Sequence, residues 1–571
     1  MNNFFKKVIT GILLLLPLLI AAQPLSDSKA DRYLSERGEV YFRFARQGID
    51  PEYLTRIISL DNIKNDTVYA YANRKEFDHF LKLGISFETL TPPSLVNLSS
   101  FLKKSGSLKD WDVYPSYTEY VTLMNDFATN YPALCQIHEI GITVEGRKLL
   151  AVKLSDNVAQ KEAEPEFFFT SSMHGNEVTG YMLTLRLIDY LLSNYETDEN
   201  VRQLLDTIEI WINPLANPDG TYFGSNSSVT GATRFNANGV DLNRNFRDPG
   251  QGAHPDGNPW QPETEAMMDF MTGHHFVLSA NYHGGAEVMN YPWDTWSRSH
   301  PDEDWFIHIS YQYADTVKKY AGSTYFSDVV PDGVTNGYDW YPVFGGRQDF
   351  TTYFAHGREI TIEVSSNMMP PANTMPDYWE YNRQAMLQYI RQCTYGIHGI
   401  VRDSVTGMPI TARIEILSHD ADSSHIYAEA VNGDFHRLLN PGSYSLKVSY
   451  PGYKQKILES ITLPDFTSSL WTEVELAPGR DIPSLLYETE QDRFTSFLYA
   501  ENKLWINIPD EGSLDVVLYS AKGQMVYKTK NVNHTGGFMI VDLDENLTPG
   551  MYFGRVIRNG KYLGEIRFSC K

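Results

Sequence analysis

Apolar and polar positions along this 571-residue chain fall into three textures. Between 115 and 396, short apolar runs alternate with stretches whose apolar residues recur at helical spacing, the pattern of an α/β domain. "EFFFTSS" (166–172) reads as a buried strand. Behind it Val178, Met182, Leu185 and Leu192 predict an amphipathic helix from about Asn176 to Asn194. "IEIWIN", "FVLSANYH" and "EITIEVS" predict further strands. Before this region, "EVYFRF", "VYAYAN" and "FDHFLKLG" mix short strands with a helix, so residues 23–95 read as a small α+β segment. The stretch "TPPSLVNLSSFLKKSGSLKDWD" carries turn formers without periodicity and places a linker at 96–114. From 397 to 477 the pattern shortens to alternating strands separated by Pro441-Gly442 and Pro451-Gly452, which predicts a β-sandwich. Residues 478–571 begin with a linker-like "APGRDIPS" and repeat the all-β pattern, predicting a second small sandwich.

Composition narrows the class. The formal charge of −23 disfavours nucleic acid as a partner, since phosphate recognition needs clustered Lys and Arg. Aromatic content of 13% and charged content of 21% suit packed domains rather than disorder. Residues 1–22 read as a signal peptide: Lys6 and Lys7, the apolar run Ile12 to Ile20, then Ala21-Ala22. That run is too short to span a bilayer, and no later one is longer, so an exported protein without a transmembrane segment is expected. Cys135, Cys393 and Cys570 are too few and too dispersed for a disulfide framework or a cysteine-based metal site.

The candidate chemistry starts at His174-Gly-Asn-Glu177, with His283 and Glu363 following at or near the ends of separate predicted strands. Open α/β sheets place ligands outside the carboxyl ends of their strands. Two imidazoles and a carboxylate can ligate zinc while leaving a position for water, and a further carboxylate can serve as base.

"HGNE", "NPDG", "GVDLNRNF", "NYHGG", and "DWYPVFGGRQDF" through "EITIEVS" occur in that order. On these motifs the 115–396 region resembles the zinc metallocarboxypeptidases, in particular the branch of carboxypeptidases D, E and N. The resemblance implies a mixed-sheet α/β domain with helices on both faces. It also implies one Zn²⁺ per chain, held by His174, Glu177 and His283; this ligand set is the one known for carboxypeptidase. By the same resemblance, Glu363 is the general base and Arg234 stabilises the oxyanion. Asn243 and Arg244 grip the substrate's terminal carboxylate, Tyr341 closes over it, and Arg147 lines an outer subsite. Asp294, eleven residues after His283, and Gln348 match positions that receive a C-terminal Lys or Arg side chain. Arg347 departs from the pattern: its guanidinium would oppose a basic side chain if it entered the pocket, or it could point to solvent.

The resemblance therefore implies a carboxypeptidase acting on C-termini of peptides or proteins, with Lys/Arg preference. An inactive surface binding or adhesion protein on the same fold, and a zinc peptidase acting on cell-wall peptides, are the alternatives. Residues 397–477 resemble the transthyretin-like domain of that branch. "LYSAKGQMVYK" and "LTPGMYFGRV" resemble a sorting domain of the type IX secretion system. The latter implies secretion machinery as a partner and a secreted or cell-surface location in a Bacteroidetes-type bacterium.

Overall fold

The computed structural model describes residues 27–96, 110–479 and the strands between 496 and 570. The expected signal peptide and most of the 96–114 linker lie outside the described residues. Two compact units are present: residues up to 48 with 57–91, and residues 49–56 with 92 onward.

In the first unit an antiparallel sheet runs in the order Ser59–Lys64, Thr67–Ala72, Val40–Ala45, Phe87–Thr89. Alternation puts Phe42 and Phe44 on one face, where they pack edge-on or tilted against Phe77 and Phe80 of the helix Arg74–Leu81. That helix starts at Asn73, whose side chain and that of Glu76 satisfy each other's backbone N–H groups.

The second unit is built on eight strands: β1 (Cys135–Ile142), β2 (Lys148–Leu154), β3 (Glu166–Ser171), β4 (Glu209–Asn213), β5 (Phe276–His283), β6 (Ala286–Tyr291), β7 (Val334–Asn336) and β8 (Arg358–Ser365). Their order is β7-β6-β8-β5-β3-β4-β2-β1. The inner four, β8-β5-β3-β4, are parallel, and β6 and β2 join them antiparallel. The alternating texture predicts an α/β domain, and the sheet is mixed, as the family resemblance implies. Phe167, Phe168 and Phe169 are all fully buried, because strands covered on both faces require apolar residues at successive positions.

Helix α1 (Thr179–Asn194) starts three residues later than the periodicity suggests and is not amphipathic in effect. It packs against β3, β5 and α2 (Met375–Arg391) and buries eleven of its residues, so tertiary cover reaches nearly all round it. The late start leaves His174 to Glu177 in a turn, closed by the Glu177 N–H on the His174 carbonyl at 3.1 Å, that aims the Glu177 side chain back toward His174.

Residues 396–476 form two facing sheets, one of three strands and one of four, around Ile397, Val401, Ile414, Leu446, Val448 and Val474. A buried ionic network ties these strands to the large sheet. Asp302, just before the helix Glu303–Ala321, accepts two hydrogen bonds from Arg437 at 2.9 Å each. It also accepts one from Arg358, the first residue of β8, at 2.7 Å, and His419 lies 2.7 Å from its other oxygen. Arg437 reaches on to Asp420 at 2.6 Å. The side chains of all but His419 are almost fully buried. Beyond 496 the strands pair as one connected network in which Lys503–Ser520 runs through, joined by Val532–Asp542 along its first part and Gly550–Arg558 along its second.

Removing one partner of a buried, hydrogen-bonded ion pair typically costs 3–5 kcal/mol, because the remaining charge stays out of water. Arg437→Met in the full chain should therefore lower the unfolding free energy by about 3 kcal/mol in a denaturant titration. A change below about 0.5 kcal/mol, the level of an ordinary surface substitution, would contradict this role for the network.

Candidate metal centre

Three elements bring the donors together. His174 lies in the turn after β3, Glu177 in the turn before α1, and His283 is the last residue of β5. Because β5 and β8 run parallel in register, Glu363 stands directly opposite His283. The turn holding His174 packs on the "NPDG" turn: a Cβ on Gly175 would lie 2.3 Å from the carbonyl carbon of Gly220, so no larger residue fits there.

His174 Nδ1 lies 2.9 Å from Glu177 Oε1, and His283 Nδ1 lies 2.8 Å from Glu177 Oε2. The two Nδ1 atoms are 3.1 Å apart. Ligand atoms from all three side chains fall within 4.8 Å of one another, and all three are buried. Two imidazoles with one carboxylate suit zinc, whose bonds to nitrogen and oxygen are about 2.0–2.2 Å. The residues present therefore fit a zinc ion. Asp156, Glu162 and Glu164 form another close set, but it sits toward the surface and offers only carboxylates, which suit harder cations.

The charges in this pocket are mutually dependent. Burial alone would raise the Glu177 carboxyl, but the His174 and His283 rings hold it well below the usual carboxylate range. Asp241 is likewise held far down, against burial, by His174, Arg234 and Arg244. Burial lowers His283, favouring the neutral ring that a metal requires. His174 is raised: burial and Arg234 act to lower it, and Glu177 and Asp241 outweigh them.

The other residues expected from the sequence sit in two connected groups. Arg234 is buried with Nη1 3.0 Å from Glu177 Oε1 and Nε 3.4 Å from Asp241 Oδ2. Asp241 Oδ1 faces His174 Nε2 at 3.0 Å and also accepts from the Asn243 backbone at 2.9 Å, opening the turn Leu242–Arg244. One carboxylate thus fixes both an imidazole and the Asn243-Arg244 pair. Asn243 Oδ1 accepts from the Arg347 backbone at 2.9 Å, and Arg244 Nη1 donates to the Asn243 carbonyl.

Around Gly346 this group meets the second. A Cβ on Gly346 would lie 3.8 Å from Asn243 Oδ1 and 3.5 Å from Asp294 Oδ2. Asp294 is buried and accepts from Gln348 Nε2 at 3.0 Å, while Gln348 Oε1 is anchored by the Thr361 N–H at 2.7 Å. Gly337 forms the opposite wall, since a Cβ there would collide with Asp294 Oδ1 at 1.7 Å. Burial pushes the Asp294 carboxyl up to about 7, against the pull of Arg244. Tyr341 follows the short helix Gly337–Trp340, with its ring mostly buried beside Trp340.

Arg147 lies apart from the metal donors, bound to Asp219 Oδ1 and Glu145 Oε2 at 2.7 Å each and to Asn226 at 3.0 Å. Arg347 takes neither orientation that the sequence leaves open. It is fully buried, paired with Glu359 at 2.8 Å and hydrogen-bonded to Thr170. It therefore does not present its charge to the Asp294 pocket. The sequence reading does not single out Asp241, Asp219, Asp349, whose Oδ1 accepts from the Asp294 N–H at 3.0 Å, or Asn281, whose amide nitrogen lies 2.7 Å from His283 Nε2. Asp241 and Asp219 lie inside the quoted "GVDLNRNF" and "NPDG" motifs, where a search for partners of the buried His174 and Arg147 could have found them.

A profile of the zinc carboxypeptidase family matches residues 120–385. Carboxypeptidase M of Mus musculus is 35% identical over 364 residues, covering 60% of this chain and 79% of that protein. The carboxypeptidase N catalytic chain of Homo sapiens is 34% identical over 378 residues, covering 59% of this chain and 80% of that protein. Carboxypeptidase D of Anas platyrhynchos is 39% identical over 353 residues, but this chain spans 25% of its length.

The full chain, dialysed without chelator, should retain about one zinc ion by elemental analysis, as a buried set of three ligands implies. Glu177→Gln should retain far less than one. Equal zinc in the two proteins would place the ion elsewhere.

Proposed function

We propose that this chain, which belongs to the zinc carboxypeptidase family, hydrolyses the last peptide bond of peptides or proteins and prefers C-terminal Lys or Arg. The observation that carries this reading is the continuous path from His174 through Asp241 to Asn243-Arg244, and on past Gly346 to Asp294. Such a path fixes the distance between a metal-activated water and a substrate's terminal carboxylate, which is what a one-residue exopeptidase must measure.

A bound zinc ion supplies a Lewis acid and lowers the pKa of its water to about 7. The chain's own residues do the rest. Glu363, opposite His283, accepts the water proton and returns it to the leaving amine. Arg234 donates to the oxyanion, a contact whose removal typically costs about 3 kcal/mol of barrier. Asn243 and Arg244 hold the terminal carboxylate, where a guanidinium can form two parallel hydrogen bonds. Tyr341 covers the bound end and excludes water, and Arg147 lines the outer subsite.

Asp294 supports the basic preference. Its carboxyl is buried, and a substrate guanidinium or ammonium would stabilise its charged form and offset its desolvation. Arg347 removes an objection, since its charge is neutralised by Glu359 away from the pocket. An adhesion protein on this fold would have no use for Glu363 and Arg234 beside the three donors.

The signal segment at 1–22 supports export, and no described helix is long and apolar enough to cross a membrane. Residues 397–477 act as a transthyretin-like support for the catalytic domain, which the Asp302 network favours. Residues 478–571 serve as a type IX sorting domain recognised by secretion machinery, which places the protein outside the cell or on its surface. Segment 23–95 precedes the catalytic domain as a pro-like unit.

Glu363→Gln should keep its zinc and lose at least a hundredfold in kcat, within the usual range for a general base. Turnover near wild type would remove Glu363 from that role. The preference for Arg over Phe should follow Asp294: protonated below about 7, its carboxyl attracts no cation, and ionised above it does. The ratio of kcat/KM for C-terminal Arg to that for Phe should therefore climb as pH rises through 7, and Asp294→Ala should flatten it. A ratio independent of pH and of Asp294 would refute the pocket assignment.

A further inference from the structure

We propose that Thr170, anchored by the buried Arg347–Glu359 pair, is a positioning residue for the metal ligand His283 and acts through Asn281. The proposal rests on the reading of His283 as a zinc ligand.

Alternation on β5 places Ser279, Asn281 and His283 on one face. The parallel register sets Glu359, Thr361 and Glu363 of β8 beside them, and Thr170 of β3 opposite Asn281 on the other side. A stripe of polar side chains therefore runs under the sheet toward the metal donors. Thr170, Ser279, Asn281, Arg347, Thr351 and Glu359 are all at most 1% exposed. A buried ion pair is a poor stabiliser compared with apolar packing, so Arg347 and Glu359 are not explained by stability alone.

The connections are continuous. Glu359 Oε2 accepts from Arg347 Nη2 at 2.8 Å, from Ser279 Oγ at 2.7 Å and from Thr351 Oγ1 at 3.1 Å. Arg347 Nη1 donates to the Thr170 hydroxyl oxygen. Thr170 Oγ1 lies 2.8 Å from Asn281 Oδ1, and the Asn281 amide nitrogen lies 2.7 Å from His283 Nε2.

An amide has an acceptor at one end and a donor at the other, so the end turned to His283 decides which ring nitrogen keeps the proton. With Nδ2 facing His283, Nε2 accepts and the proton sits on Nδ1, pointing at Glu177 Oε2. If Nδ1, which faces Glu177, were the ligand atom, the proton would reside on Nε2, and Asn281 would turn its oxygen there and its nitrogen to Thr170. A hydroxyl can serve both arrangements, because it donates to Oδ1 in the first and accepts from Nδ2 in the second. Arg347 has no acceptor, so it holds the hydroxyl oxygen in place in either case.

The test is the rate at which the zinc-loaded full chain yields its metal to excess chelator. Thr170→Val, which keeps the shape but not the hydroxyl, should lose zinc about tenfold faster, the lower end of outer-shell effects. It should also lower kcat more than it raises KM. Thr170→Ser should restore both. The double variant Arg347→Met/Glu359→Gln removes the anchor without leaving an unpaired charge, and should give a smaller acceleration in the same direction. If Thr170→Val and the double variant release zinc within twofold of wild type, whatever their melting temperatures, the proposal fails. Wild-type protein that binds no zinc would overturn the metal-centre reading itself instead.

Discussion

Two imidazoles brought to 3.1 Å around a buried carboxylate are the constraint on which the rest of the site depends. Glu177 and Asp241 place two negative groups out of water, and Arg234 with the His174 ring accompanies them. Such a cluster is tolerable only if each charge is closely matched and hydrogen-bonded. A divalent cation fits this requirement because it replaces the ring proton while binding both imidazoles and the carboxylate at once. The same need for compensation recurs at Asp294, where the matching cation would come from substrate.

The sheet converts this local requirement into geometry. The register of parallel strands β5 and β8 pairs His283 with Glu363, so the two arrive side by side without help from any loop. The loops then add what a sheet cannot. The turn after β3 bends His174 and Glu177 over the strand ends, and Asp241 ties that turn to Asn243 and Arg244. Asp302, Arg358 and Arg437 fix the opposite end of β8 to the 396–476 strands. The strand bearing Glu363 is thereby anchored at its first residue.

Much of this was legible along the chain because it is written in local patterns. The run 166–172 announced a buried strand leading to His174, and "FVLSANYH" announced one ending at His283. Helix α1 starts later than the apolar period predicts, since Glu177 closes a turn on His174 before the helix begins. The side chains that orient the ligands were not legible. Asn281 and Thr170 pass for ordinary strand residues until the register pairs them. Arg347 could be placed only once Glu359 was known to lie beneath it. Asp302 meets Arg437 across 135 positions, and no local pattern forecasts a contact at that range.

The most direct measurement is X-ray absorption at the zinc edge on the purified full-length chain. Ligation by His174, Glu177 and His283 predicts a first shell of two nitrogen donors and light oxygen donors at about 2.0–2.2 Å, with imidazole multiple-scattering features from two rings. A shell containing sulfur, or one with no imidazole signature, would contradict it.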